Sequence, residues 1–244
     1  MASSLSVLYS DSSILVVDKS AGILSIPDRY DPNLPVAQSM LREEWGNLFV
    51  VHRLDKDTSG VLVYARTADA HRALSEFFEK RSVSKVYQAL VRGAPEWDET
   101  SCGLPLRPDG DKLHRTIIDA HHGKASATAF KVLARYARGG IFGGAALVEA
   151  QPSSGRTHQI RVHLSALGYP CLCDPLYGDG KPLFLSKLKK RWKGDPFDEK
   201  PLLERSALHA LSVEFPHPVS GETLKVEAPL PKDMRAAIAQ LDKL

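Results

Sequence analysis

The chain has 244 residues, 43% of them hydrophobic and 25% charged, which fits an ordinary globular protein with a substantial core. Its net charge of +3 permits a polyanionic partner without requiring one, so any case for nucleic acid must come from where the charges sit. Three cysteines are too few for a disulfide framework, and no apolar run approaches the roughly 18 residues that a bilayer crossing needs. The Met-Ala-Ser-Ser start lacks the basic and apolar segments of a secretory signal, so a reduced, cytoplasmic protein without a membrane anchor is expected. Cys171-x-Cys173 could form part of a metal site, but no second thiol pair exists, and two small buried thiols are the expectation.

In chain order, residues 13–18 read as a buried strand, followed by a turn at Lys19-Ser20-Ala21-Gly22. Residues 34–45 carry helical periodicity, with Val36, Met40 and Leu41 on one face. Leu48–Val51 and Val61–Tyr64 read as strands on either side of a polar junction. Thr67 is placed to cap a helix whose Ala70, Ala73, Leu74, Phe77 and Phe78 recur at three- and four-residue steps. Ser84–Val91 reads as a strand, and residues 96–124 as mostly loop with a short strand at 116–118. Two more strands, 127–134 and 145–150, flank the Arg138–Gly144 glycine cluster, which reads as a hairpin turn. Thr157–Leu167 predicts a helix stopped by Gly168, and strands near 211–215 and 224–228 precede a helix opening at Pro231. Many strands with few helices predict an α+β fold on a mixed, largely antiparallel sheet, organised as a single domain over 1–244.

The polar junction His52-Arg53-Leu54-Asp55-Lys56-Asp57-Thr58-Ser59-Gly60 is the first candidate site. A carboxylate beside an arginine is held ionised at neutral pH and suits general-base or nucleophilic work. The same residues also suit a solvated turn in which Asp55 bonds to the backbone. A two-carboxylate hydrolase of glycosides or nucleosides using Asp55 and Asp57 stays open as well. The second candidate is Ser153–His163, where a helix beginning near Thr157 would set His158 and Arg161 on one face and make its start an anion site. The alternative there is a solvated polar face. The third is Ser84–Tyr87, where Lys85 and Tyr87 share one side of a strand, a position at which tyrosine more commonly packs than reacts.

Together these stretches resemble the RluA-type pseudouridine synthase family. His52-Arg53-Leu54-Asp55-x-x-Thr58-Ser59-Gly60, Lys85-x-Tyr87-x-Ala89 and Gly155–His163 are similar to three of its motifs, in order. Val17–Gly22 and Asp174-Pro175-Leu176-Tyr177-Gly178 fit too, although Ser20 stands where proline is common. The resemblance implies an isomerase that detaches uracil from its sugar, turns it and rejoins it through a ring carbon, with no cofactor and no metal. It assigns Asp55 to the sugar, Tyr87 to packing against the base, and Arg161 to pairing with Asp55. A stacked uridine must first be flipped out, and the resemblance gives Arg53 the vacated position, leaving Asp57 as a loop residue. Lys85, Arg156 and His158 are expected to contact RNA.

Family members often carry an N-terminal S4-type RNA-binding domain, and with a core strand near residue 13 none is expected here. RNA is then gripped by the catalytic domain, expected to be monomeric, and by a charged insertion at 181–200. In it, Lys181, Lys187, Lys189, Lys190, Arg191 and Lys193 run without an acid between them, interleaved with Phe184 and Trp192. This segment either meets phosphates and bases or is a surface loop neutralised by Asp195–Glu199. A ribosomal or transfer RNA stem-loop is the expected substrate, and a non-catalytic RNA-binding relative is the remaining alternative.

Overall fold

The computed structural model describes residues 5–28, 31–136, 143–189 and 191–244. In chain order the elements are β1 (Leu5–Ser10), β2 (Ile14–Lys19), α1 (Ala37–Trp45), β3 (Phe49–Val50), β4 (Ser59–Ala65), α2 (Ala68–Glu79) and β5 (Ser84–Arg92). There follow β6 (Glu99–Cys102), β7 (Leu106–Arg107), β8 (Ile117–Ile118), β9 (Thr128–Tyr136), β10 (Ala145–Pro152), α3 (Gln159–Ala166) and α4 (Leu185–Leu188). The last three are β11 (Leu208–Pro216), β12 (Thr223–Glu227) and α5 (Lys232–Leu241). The fold class is α+β, as expected. The glycine cluster at 138–142 lies outside the described residues.

The chain forms two compact units: residues 1–86 with 209–229, and residues 87–208 with 230–244. In the first, the strand order is β1-β2-β4-β11, with β3 beside β4 and β12 beside β11. Pairing is antiparallel except between β4 and β11, so this sheet is mixed. Every residue of β4 is buried, as its Val-Leu-Val-Tyr-Ala run dictates. Ile14, Val16, Val61 and Val63 pack with Ala70 and Leu74 of α2 and with Phe215 of β11 in one cluster. Thr67 caps α2 as its sequence predicts, its hydroxyl accepting from the Ala70 N–H at 3.2 Å.

Gly60 is required where β4 meets β11. Its φ is +114°, and a Cβ there would stand 2.1 Å from the Ala210 carbonyl oxygen. The neighbouring Ser59 hydroxyl bonds Nδ1 of the fully buried His209 at 2.9 Å, and His209 Nε2 reaches the Ala228 carbonyl at 3.2 Å. A carbonyl only accepts, so Nε2 carries the proton and Nδ1 accepts from Ser59. The Thr58-Ser59-Gly60 part of the polar junction is therefore a packing device.

The second unit holds an antiparallel sheet in the order β5-β10-β9-β6, with β7 and β8 as a separate two-stranded ribbon. Ile160 and Leu164 of α3 pack with Val91, Phe130 and Val148, and α5 places Met234, Ala237 and Leu241 against Leu90 and Leu172. Cys171 and Cys173 are buried as expected, and burial pushes their thiols up to about 12 and about 11.

Four sequence readings need correction. Met40 is exposed, whereas Val36 and Leu41 are buried as expected and Ala37 joins them. β1 was not expected; it closes the outer side of its sheet with only partial burial, so it lacks an apolar signature. β6 and β7 emerge from a stretch that reads as loop, because pairing to β9 and β8 rather than local propensity makes them strands. Finally, α3 starts at Gln159, and His158 sits before it in the left-handed region at φ +54°.

His52 is a folding residue. Its Nε2 accepts the Val63 N–H at 2.9 Å, and its ring stacks on Phe78 with centroids 4.8 Å apart. Burial first, and the Lys85 charge second, lower its pKa from 6.5 to about 3. The unfolded chain therefore binds this proton near pH 6.5 and the folded chain only near pH 3. The stability that His52 contributes is whole above about 6.5 and is lost as pH falls towards 3. Urea unfolding across that window should show a shallower acid loss for His52→Gln, by up to one proton, and an unchanged pH slope would contradict this assignment.

Candidate active site

Asp55 sits in the loop between β3 and β4, where no strand pairing satisfies the backbone, so side chains must do so. Ser25, which is 3% exposed, clamps the residue before it: the Leu54 N–H donates to the Ser25 hydroxyl at 3.0 Å, and that hydroxyl donates to the Leu54 carbonyl at 2.9 Å. The residue after it is held as firmly. The Lys56 carbonyl accepts the Gly22 N–H at 2.9 Å and the Lys19 ammonium at 3.1 Å. The Thr58 N–H closes the loop on the Asp55 carbonyl at 3.1 Å.

The Lys19 side chain is completely buried, and its ammonium also donates to the Ile23 carbonyl at 2.8 Å and the Ser20 carbonyl at 3.2 Å. A buried ammonium is tolerated only when several acceptors replace its water. Here those acceptors tie the turn after β2 to the Asp55 loop. From sequence, Lys19–Gly22 reads as a turn; the structure makes it a brace for the Asp55 loop. The result is a half-buried carboxylate on a backbone fixed on both sides, with Arg53 exposed and Leu54 buried beside it. Lys85, at the start of β5, is half-buried, and burial ahead of the nearby Arg81 charge lowers its pKa.

In the second unit, Tyr87 is half-buried on β5 opposite Ala150 of β10 and packs against the cluster that includes Ile160. Arg161 is 6% exposed and forms a two-pronged ion pair with the fully buried Asp174: Nε to Oδ2 at 2.6 Å and Nη2 to Oδ1 at 2.8 Å. Asp174 also accepts the Leu176 N–H at 2.9 Å, the Tyr177 N–H at 3.0 Å and the Ser206 hydroxyl at 3.1 Å. Burial would raise this carboxyl, but the Arg161 hydrogen bond and charge, with the two N–H groups, hold it below the usual range. Arg161 also lies over the Tyr177 ring, 5.1 Å from its centre.

Tyr177 links this pair to His158. Its hydroxyl oxygen accepts the Thr116 N–H at 3.0 Å and meets His158 Nδ1 at 2.9 Å. His158 and Arg161 thus share Tyr177 as a partner, instead of sharing a helix face. Gln159, 4% exposed, fixes the loop before α3 by accepting from Ser154 at 2.7 Å and from the Arg156 N–H at 3.1 Å, while donating to Ala127 at 2.9 Å. The half-buried Arg156 side chain approaches the Ala125 carbonyl at 3.4 Å. His163 is an internal strut: Nδ1 bonds Thr128 at 2.9 Å and Nε2 the Leu104 carbonyl at 3.0 Å. Asp174, Ser25 and Lys19 are the supports that sequence reasoning passed over. The Asp174–Gly178 match was their nearest signal, but side-chain bonds to backbone leave no periodic trace.

The Arg161–Asp174 pair predicts a large penalty for Asp174→Asn. Removing one charge of a satisfied buried pair strands the other, at a cost of about 3–5 kcal/mol. Urea unfolding should report a loss of that order, and a loss below about 1 kcal/mol would show that the pair is not a structural linchpin.

These arrangements were compared with known proteins. Residues 13–166 match the RNA pseudouridylate synthase family. Ribosomal large subunit pseudouridine synthase D of Xanthomonas campestris is 37% identical over 97% of this chain and 69% of its own length. The dual-specificity RNA pseudouridine synthase RluA of Pasteurella multocida is 34% identical over 92% of this chain and 93% of its own. The solved structure of human RNA pseudouridylate synthase domain containing 1 superposes with a TM-score of 0.69 at 26% identity, covering 100% of this chain and 97% of that one. With the braced Asp55 loop and the Arg161–Asp174 pair in the motifs that carry the resemblance, the chain belongs to the RNA pseudouridylate synthase family, isomerases that act on RNA.

Proposed function

We propose that this protein converts a specific uridine in structured ribosomal or transfer RNA to pseudouridine, and that Asp55 acts on the sugar. The observation that carries this reading is the fixed backbone on both sides of Asp55, since a preorganised charge is more effective than one that must be ordered during the reaction. In the isomerisation the bond from sugar to ring nitrogen breaks and a bond from sugar to ring carbon forms. The hydrogen on that carbon leaves to solvent, and the ring nitrogen gains one. No electrons enter or leave, so the reaction calls on no redox group.

By motif position, Tyr87 packs against the target base and its hydroxyl assists the final proton removal. Arg161, held by Asp174, contributes positive charge to the chemistry. The target nucleotide is flipped out of its stack, and the exposed Arg53 takes its place. Lys85, Arg156 and His158 contact the RNA. The protein works as a monomer in the cytoplasm, through a catalytic domain that uses no cofactor or metal. The ribosomal large-subunit enzyme among its relatives supports ribosomal RNA as substrate, and the dual-specificity relative supports a site that accepts more than one RNA.

RNA tritiated at the uracil carbon that becomes bonded to the sugar tests this directly. Incubation should release tritium to water without free uracil. Free uracil would identify a hydrolase, and the absence of release from any cellular RNA would leave a binding protein. Asp55→Asn should bind RNA like the wild type and lose tritium release by at least about a thousandfold, as expected for a group that takes part in the chemistry itself. Substantial residual turnover would refute the role of Asp55.

A further inference from the structure

Residues 183 to 203 form a loop closed by main-chain pairing: the Leu183 N–H donates to the Leu203 carbonyl at 2.7 Å, and the Leu202 N–H donates to the Leu183 carbonyl at 2.8 Å. Leu183, Leu188 and Leu203 are buried in the cluster that holds Leu172 and Cys173, the residues just before Asp174. The loop is thus rooted beside the support of Arg161. Those three leucines face inward, while Lys187, Lys189, Arg191 and Lys193 of the loop, and Lys181 just before it, are exposed.

None of those five cationic groups pairs with a carboxylate among the described residues. Some surface cations elsewhere do pair with acids: Lys80 with Glu76, Lys131 with Glu99, Arg135 with Asp98 and Lys225 with Glu227. Two of the acids that follow the basic run bind main-chain N–H groups. Glu199 accepts the Ser186 N–H at 2.7 Å at the start of α4, and Asp195 accepts the Phe197 N–H at 2.9 Å. The turn from Asp195 to Asp198 holds Phe197 100% exposed. Phe184 and Trp192, the aromatic residues that the sequence singles out, are by contrast half-buried.

Resting on the reading of the protein as an RNA-modifying enzyme, we infer that this loop is an RNA-contact surface. Its lysines and arginine meet backbone phosphates, and Phe197 stacks on an unpaired base. Phosphates suit the uncompensated cations, and an unpaired base suits a ring free on both faces.

The test uses the full chain, an RNA hairpin with an unpaired loop, a blunt RNA duplex, and fluorescence anisotropy across a salt series. Lys187, Lys189 and Lys193 changed together to Gln should lower the slope of log affinity against log salt by about two to three. Phe197→Ala should weaken hairpin binding roughly fivefold or more, leaving the slope and the duplex affinity as they were. An unchanged slope and affinity in the triple variant overturns the inference. So does unaltered RNA binding accompanied by lost binding to phosphatidylserine-containing vesicles, which would make the loop a lipid-facing surface. Pseudouridine formation on total RNA by the wild type is measured in parallel. If it occurs while the triple variant binds normally, the surface fails and the enzyme reading stands. If it does not occur while RNA binding depends on the loop, the enzyme reading fails and the surface stands.

Discussion

The geometry of Asp55 depends on how an irregular loop satisfies its own backbone. Away from water, a peptide carbonyl or N–H without a partner costs on the order of 1–3 kcal/mol, so a catalytic loop between two strands needs partners that regular structure does not supply. Ser25 closes both polar groups of Leu54, and Lys19 with Gly22 closes the carbonyl of Lys56. The carboxylate between them keeps its place because its neighbours cannot move. On the proposed role of Asp55, removing the Ser25 hydroxyl or the Lys19 ammonium acts on the chemistry through the backbone.

The same principle operates around Arg161. Asp174 meets its buried guanidinium with both oxygens, and two N–H groups and Ser206 complete the shell of the buried Asp174. Tyr177 extends the set to His158 and to the Thr116 main chain. Gln159 and His163 hold the flanking segments through comparable networks. These are polar cores, satisfied member by member, and they explain why the Gly155–His163 stretch is densely polar and yet largely buried.

Much of the fold was legible because its signals are local. Thr67 announces α2, the apolar run of β4 announces a buried strand, and Pro231 opens α5. β1 and β6 were not legible, since their pairing partners create them and half-exposed residues carry no periodic stripe. The start of α3 was misjudged because His158 adopts a left-handed conformation that nothing in a single sequence announces. Asp55, Tyr87 and Arg161 are singled out through resemblance, since the local chemistry of the Asp55 stretch leans slightly towards a plain turn. Their supports, Ser25, Lys19 and Asp174, act through bonds between distant positions, which spacing alone does not encode.

The central claim is that a clamped backbone, and not only the Asp55 carboxylate, sets the rate. The direct measurement is single-turnover pseudouridine formation by Ser25→Ala, alongside its RNA affinity and thermal stability. The clamp predicts a rate at least about tenfold lower with RNA affinity preserved, because a small misplacement of a reacting group is expensive. A wild-type rate in a folded Ser25→Ala protein would show that the Leu54 clamp does not position Asp55.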